Sequence, residues 1–256
     1  MPNTALITGA SSGIGREFAR YHAAKGGDLI ITARRAPELD ALKSELETAH
    51  GIKVATLALD LGAADGPSRL YDGVKGQRID ILINNAGFGG QGSFIERDLD
   101  ADLSMIDLNV KSLVTLTHMI AQDMVAQGGG KILNVSSTAA YMPGPLQATY
   151  FATKAYVSSF SQALDEELRS KGVTVTALEP GYVETEFAAS ADLEGTNLVK
   201  QKPATPADVA AFGYEAMQRG RLRAINDGRL RFMLNWIMPL LPRRSALSMV
   251  SKMQAK

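Results

Sequence analysis

The chain has 256 residues, 45% of them hydrophobic and 21% charged, with 27 basic residues balancing 27 acidic ones. These totals describe an ordinary globular protein, and a net charge of zero gives no reason to expect nucleic acid or an anionic membrane as partner. Cysteine is absent and the histidines, His22, His50 and His118, lie far apart, which excludes disulfides, thiolate nucleophiles and cysteine-ligated metal and makes an imidazole-based metal site improbable.

From the start, apolar β-rich runs alternate with stretches of helical period. The runs are "TALITG", "DLIITA", "KVATLALD", "DILINNAG", "GKILNVSS" and "VTVTALEPG". Most are short and continuously apolar, as strands buried on both faces are. In the longest helical stretch, Leu103, Ile106, Val110, Leu113, Thr117, Ile120 and Met124 form one stripe, which is expected to face the core. Strand–helix repetition of this kind implies an α/β fold, a doubly wound parallel sheet with helices on both faces. No linker or repeat divides residues 1–256, so one domain is expected.

The first strand runs into "TGASSGIG", containing Thr8, Gly9, Gly13 and Gly15. Glycines there permit a tight turn and close backbone approach to a ligand, and the helix that follows offers free N–H groups to a pyrophosphate. A lone glycine motif is weak, but its place on the first strand–helix junction favours dinucleotide binding over a plain packing turn. The second strand ends in "IITARR". Ala33 stands where an acid would bond the ribose 2′-hydroxyl of NAD, and Arg34 and Arg35 follow, suited to the 2′-phosphate of NADP.

Two regions break the rhythm. Residues 182–205, "YVETEFAASADLEGTNLVKQKPAT", have no clear period and follow a strand end; a long irregular segment in a compact domain is usually functional or disordered. Residues 228–256 are apolar and Met-rich, with Pro239 and Pro242 interrupting them. Core helix, substrate-side or oligomer surface, and lipid contact compete for that segment. Its basic residues mainly flank the apolar run and the prolines break any long helix, so lipid contact ranks last and packing beside 182–205 first. No run approaches membrane-spanning length, no charged leader with an apolar core precedes "ALITG", and a cytoplasmic protein is expected.

On these residues the chain resembles the short-chain dehydrogenase/reductase family up to about Gly228. "TGASSGIG", Asp60 in "LALDL", "NNAG" at 84–87, Asn109 in "LNV", "NVSS" at 134–137, Tyr150-x-x-x-Lys154 and "PGYVET" at 180–185 keep the family's order and spacing. The resemblance implies a Rossmann-type sheet, hydride transfer with a nicotinamide cofactor, and a catalytic set of Asn109, Ser137, Tyr150 and Lys154. Ser137, rather than Ser136, stands thirteen positions before Tyr150, as in the family. The cofactor contacts it implies are Gly9, Ser11, Ser12, Gly13, Ile14 and Gly15 at the turn, and Arg34 and Arg35 at the 2′-phosphate. Asp60 and Leu61 fall near the adenine, followed by Asn85, Ala86 and Gly87. Tyr150, Lys154, Pro180, Gly181, Val183 and Thr185 complete the set at the nicotinamide end. One departure is Ser12, where the family's other NADP-linked basic residue would stand, so NADP preference rests on Arg34, aided by Arg35.

Four-residue spacing puts Tyr150 and Lys154 on one face of a helix. A phenol with a pKa of about 10 needs roughly 4 kcal/mol to come near 7, and an ammonium about 5 Å away at an effective dielectric near 20 supplies about 3 kcal/mol. On this reading Lys154 tunes Tyr150, the general acid/base. The resemblance adds that Lys154 bonds the nicotinamide ribose, Ser137 the substrate oxygen, and Asn109 a relaying water. Phe88, Tyr141, Met142, Leu146 and Phe187 are expected around the substrate, mostly apolar and without a cationic handle. The leading expectation is an NADPH-dependent reductase of a lipophilic ketone or aldehyde, or the reverse reaction. A non-catalytic NADP-binding sensor or scaffold is the alternative; a sugar-nucleotide epimerase would need a larger C-terminal region. The family commonly assembles as dimers or tetramers through the Leu103–Met124 stretch and the helix after Tyr150, so a homo-oligomer is expected.

Overall fold

The computed structural model describes residues 3–200 and 202–256. The expected apolar runs form strands β1 (Thr4–Thr8), β2 (Asp28–Ala33), β3 (Val54–Ala58), β4 (Ile81–Asn84), β5 (Gly130–Val135) and β6 (Val173–Leu178). All pair in parallel, in the order β3-β2-β1-β4-β5-β6, and a short strand β7 (Arg223–Ala224) extends the β6 edge. That seventh strand escapes sequence reading because two residues carry no period.

Successive side chains leave opposite faces of each strand. In β1, Ala5 and Ile7 enter one apolar layer and Leu6 the other; β4 divides Ile81 and Ile83 from Leu82 in the same way. Both layers are covered, which is why the strands read as unbroken apolar runs. Helices α1 (Gly13–Ala24), α2 (Ala36–His50) and α8 (Pro206–Gln218) cover the first layer. On the second lie α3 (Gly66–Val74), α5 (Leu113–Ala126) and α6 (Ala148–Arg169), with α4 (Leu99–Ile106) leading into α5. This is the doubly wound Rossmann arrangement. The strand order reverses between β1 and β4, and the crevice beyond the carboxyl ends of those strands is where such sheets take ligands.

The expected stripe from Leu103 to Met124 holds only in its second half. Leu113, Thr117, Ile120 and Met124 are buried, but Leu103 is 48% and Ile106 38% exposed. The cause is a π turn, Asp107–Ser112, between α4 and α5. A π turn spends an extra residue on one revolution and rotates what precedes it. The buried positions upstream become Asp102 and Met105, and Asn109, inside the π turn, is 1% exposed.

Residues 182–205 hold one short helix, α7 (Phe187–Ser190), and a small apolar cluster of Ala188, Ala191 and Leu193; residue 201 lies outside the described residues. The C-terminal segment continues through α9 (Gly228–Phe232), a π turn (Met233–Ile237) and a 3-10 turn (Met238–Leu240) to α10 (Arg243–Gln254). Pro239 sits in the 3-10 turn and Pro242 caps α10, so the prolines interrupt the helix where expected. The end of α10 docks on the 182–205 segment: Asn197 N–H donates to Ala255 O at 3.3 Å, Leu198 N–H to Met253 O at 3.0 Å, and Lys256 pairs with Asp192 at 2.7 Å. Among the described residues no helix is long and apolar enough to cross a membrane.

Candidate active site

The glycine turn is built around one threonine. Thr8 Oγ1, at the end of β1, accepts the N–H groups of Asn85 and Ala86, both at 3.0 Å, while Asn85 Nδ2 donates to Thr8 O at 3.0 Å and Gly9 O at 3.2 Å. These bonds lock the loops after β1 and β4 together at the reversal point. Gly9 has φ +67°, and a Cβ on it would lie 2.8 Å from Asn85 Nδ2. At Gly15 a Cβ would lie within 2.3 Å of Gly9 O, so neither place admits a side chain. Ser12 heads α1 without a side-chain cap, leaving first-turn N–H groups available to an anion.

From this turn a cavity of about 500 Å³ extends across the sheet ends. Every residue predicted for cofactor or catalysis lines it except Gly15 and Asn109. Gly15 supports the turn from behind. Arg34 makes no side-chain hydrogen bond or ion pair among the described residues, whereas Arg35 is engaged by Ser11 Oγ at 3.2 Å and Glu186 at 3.1 Å. The two arginines thus divide: Arg35 braces the turn and Arg34 is uncommitted at the rim.

At the other end, Lys154 projects from α6 beneath Tyr150, its Nζ 5.7 Å from the phenol ring centre. Nζ donates to Val135 O at 2.9 Å, and the backbone of Lys154 accepts Ser136 Oγ at 2.7 Å, which pins α6 to the end of β5. Ser137 follows, its Oγ accepting Ala139 N–H at 3.1 Å while lying close enough to bond the phenol. Asn109 is set back from the cavity. Its Oδ1 accepts Phe88 N–H at 3.1 Å, and its Nδ2 donates to Phe88 O at 2.9 Å and Thr153 Oγ1 at 3.2 Å. Gly87 separates this amide from the amine: a Cβ there would sit 2.9 Å from Asn109 Oδ1 and 3.5 Å from Lys154 Nζ.

The electrostatics correct one expectation. The surrounding residues do not bring the phenol toward 7. Burial pushes Tyr150 up to about 12, with Ser137 pulling it back in part, and burial drives Lys154 down to about 8. Both groups have left water, so burial disfavours the charge on each, yet an amine titrating near 8 still carries most of its charge at neutral pH.

Near Tyr150 the walls are apolar: Phe88, Met142, Phe151, Phe187, Leu193 and Leu198. Two expected wall residues turn elsewhere. The Tyr141 hydroxyl donates to buried Glu179 Oε2 at 2.7 Å; burial, then the Glu179 charge, pushes that phenol up. Leu146 takes a left-handed φ of +66° and accepts Gly92 N–H through its carbonyl. Sequence reading missed Gln147, Met253 and Gln254, which also line the cavity. Gln147 heads α6 and was readable from its place three residues before Tyr150. The α10 residues, a hundred positions away, gave no local signal. Among the described residues no cluster suits a metal ion.

The turn whose glycines exclude side chains, the uncapped α1 start and an uncommitted arginine at the rim together fit a dinucleotide phosphate. Comparison with known proteins agrees. Residues 3–194 match the family model for short chain dehydrogenase. A very-long-chain 3-oxoacyl-CoA reductase of Macaca fascicularis is 32% identical over 93% of this chain and 75% of its own. The chain spans only 60% to 65% of several other curated relatives. Among solved structures, a short-chain dehydrogenase from Sphingobium yanoikuyae in complex with NADPH is 30% identical, with a TM-score of 0.86 over 100% of this chain and 99% of its own. A bulky-bulky ketone specific alcohol dehydrogenase from Comamonas testosteroni is 27% identical, with a TM-score of 0.78 over 95% and 96%. With motif order, sheet and site in agreement, the chain belongs to the short-chain dehydrogenase/reductase family.

Proposed function

We propose that this protein is an NADPH-dependent oxidoreductase that reduces a lipophilic ketone or aldehyde to an alcohol, or runs the reverse reaction. The observation that carries it is the convergence of Ser137, Tyr150 and Lys154 on the apolar end of a cavity whose other end is the phosphate turn. The cofactor supplies or accepts the hydride. The chain does the rest. Gly9, Ser11, Ser12, Gly13 and Ile14 cradle the pyrophosphate, Arg34 bonds the 2′-phosphate, and Asp60 and Leu61 flank the adenine. Asn85, Ala86, Gly87, Pro180, Gly181, Val183 and Thr185 wall the cavity on either side. Ser137 orients the substrate oxygen beside the phenol.

Tyr150, kept protonated by burial, donates its proton as charge develops on the carbonyl oxygen, and Lys154, titrating near 8, replenishes it. Asn109 holds the backbone of Phe88 and the start of the path to Lys154. The substrate class follows from the wall: Phe88, Met142, Phe187 and Leu193 bury apolar groups, and no arginine or lysine other than Lys154 reaches that end. The names of a 3-oxoacyl-CoA reductase and a bulky-ketone alcohol dehydrogenase among its relatives support the reading. Among the described residues no helix is long and apolar enough to cross a membrane, and work in the cytoplasm is part of the proposal. A second copy covers the apolar face left by Leu103, Ile106 and Tyr156, the last 45% exposed, giving a homodimer or homotetramer. The test is NADPH oxidation over a panel of aliphatic, aryl and steroid carbonyls with wild type and Tyr150→Phe. Turnover by wild type alone, with NADPH bound by both, is the expected result. Equal turnover by the two would remove Tyr150 from the chemistry, and no turnover of any carbonyl would favour a sensor.

A further inference from the structure

The zero net charge of the chain conceals an uneven distribution. Residues 228–256 carry Arg229, Arg231, Arg243, Arg244, Lys252 and Lys256 and not one acidic residue. The remainder is therefore acidic on balance. Lys256 is paired with Asp192, but Arg229, Arg231, Arg243, Arg244 and Lys252 form no ion pair among the described residues, and all five are exposed.

The apolar residues of the same segment divide into two faces. Leu234 and Met238 are buried, packing with Leu230 and Leu241 against Tyr141 and Met142 at the cavity wall. The other apolar side chains are exposed: Phe232 is 60%, Trp236 67% and Leu240 83% exposed, and Met233 and Ile237 are 36% and 44% exposed. Leaving so large a contiguous apolar patch in water is unusual. An aromatic pair and aliphatic side chains flanked by guanidinium groups without an ion pair among the described residues suit a segment lying in a lipid interface.

We propose that this face docks on an anionic lipid surface, with Phe232, Trp236 and Leu240 entering the headgroup boundary and Arg229, Arg231, Arg243 and Arg244 contacting lipid phosphate and carboxylate. Sequence order ranked lipid contact last because the arginines flank the apolar run. In three dimensions Arg231 shares one shallow surface with Phe232 and Trp236, and Pro239 and Pro242 break the segment into short pieces rather than one long helix. A second copy of this chain is disfavoured on the same face. A two-fold contact would set one cluster of unpaired arginines against its own image. The docking does not depend on the reaction assigned above.

Trp236 is the only tryptophan in the chain, so its emission reads the face directly. The experiment titrates full-length protein with phosphatidylcholine vesicles, with and without phosphatidylserine, following Trp236 emission and co-sedimentation. A blue shift and sedimentation with the anionic vesicles, reversed by salt, are expected. Each cationic side chain near such a surface is worth about fivefold in partitioning. Arg243→Glu/Arg244→Glu should therefore weaken binding at least about tenfold, and Phe232→Ser/Leu240→Ser should abolish it, both with turnover of a water-soluble carbonyl unchanged. No shift with either vesicle, or equal binding to both, overturns the proposal. So does light scattering in which Phe232→Ser/Leu240→Ser alone reduces the oligomer, since that assigns the face to a second copy.

Discussion

Replacing Lys154 with methionine should make the protein more stable while destroying its activity. The amine is buried at 6% exposure, and its pKa falls from 10.5 to about 8, so the fold disfavours its charge. That displacement corresponds to roughly 3 kcal/mol against the charged form at neutral pH. Lys154→Met keeps the length of the stem and removes the charge. It also takes the donor from Val135 O, a bond of 2.9 Å, whose loss returns about 1 kcal/mol. The net gain is about 2 kcal/mol at pH 7, which in a chain of this size raises Tm by about 4–8 °C. The pH dependence follows from the direction of the shift. Because the folded pKa lies below the unfolded value, the unfolded state binds more protons between them, and wild-type stability rises with pH through that window. The methionine variant has nothing to titrate there. Its advantage should therefore be full below about pH 8 and shrink as the pH approaches 10.5. Urea denaturation of both proteins at pH 7 and pH 10, read by Trp236 emission, measures the gap. A variant less stable than wild type at pH 7, or a gap of constant size, would refute the claim that burial of this amine strains the fold.

Arg34→Ala should weaken NADPH binding about ten- to a hundredfold and leave NADH unchanged, since a charged contact to the 2′-phosphate is worth about 1.5–3 kcal/mol; parallel titrations with both cofactors check this, and equal losses for the two would refute it. Gly87→Ala places a methyl 2.9 Å from Asn109 Oδ1, so the amide must move; kcat should fall at least about tenfold with a smaller change in NADPH affinity, measured by steady-state kinetics and cofactor titration. Ile106→Lys, on the exposed face of α4, should split the oligomer to a monomer near 27.3 kDa by light scattering without loss of fold by circular dichroism.

The sheet was legible because its strands are buried on both faces, so each wrote itself as a continuous apolar run between turn residues. The phosphate turn was legible because glycine is demanded there by contact distances a Cβ would violate. The pairing of Tyr150 with Lys154 followed from helical spacing alone. Their electrostatics did not, because sequence spacing gives the distance between two charges but not how much water surrounds them. The outward turn of Leu103 and Ile106 was hidden for a related reason. An α-helical period assumes an unbroken helix, and no residue between Asp107 and Ser112 announces a π turn. Gln147 was readable from its distance to Tyr150, while Met253 and Gln254 reach the cavity only because the chain end folds back over residues 182–205.

The wider turn at Asp107–Ser112 ties together two properties that evolution usually adjusts separately. The same rotation that carries the Asn109 amide inward carries Leu103 and Ile106 outward. Deleting one residue there would restore a regular helix and improve its local hydrogen bonding. It would also turn α4 by about a hundred degrees relative to α5, burying the outer leucine and isoleucine and swinging Asp102 away from the Thr149 hydroxyl of α6, now 3.0 Å apart. Length changes in this stretch are thus pleiotropic: no single deletion can retune the assembly face while sparing the amide, and substitution is the only route by which either drifts alone.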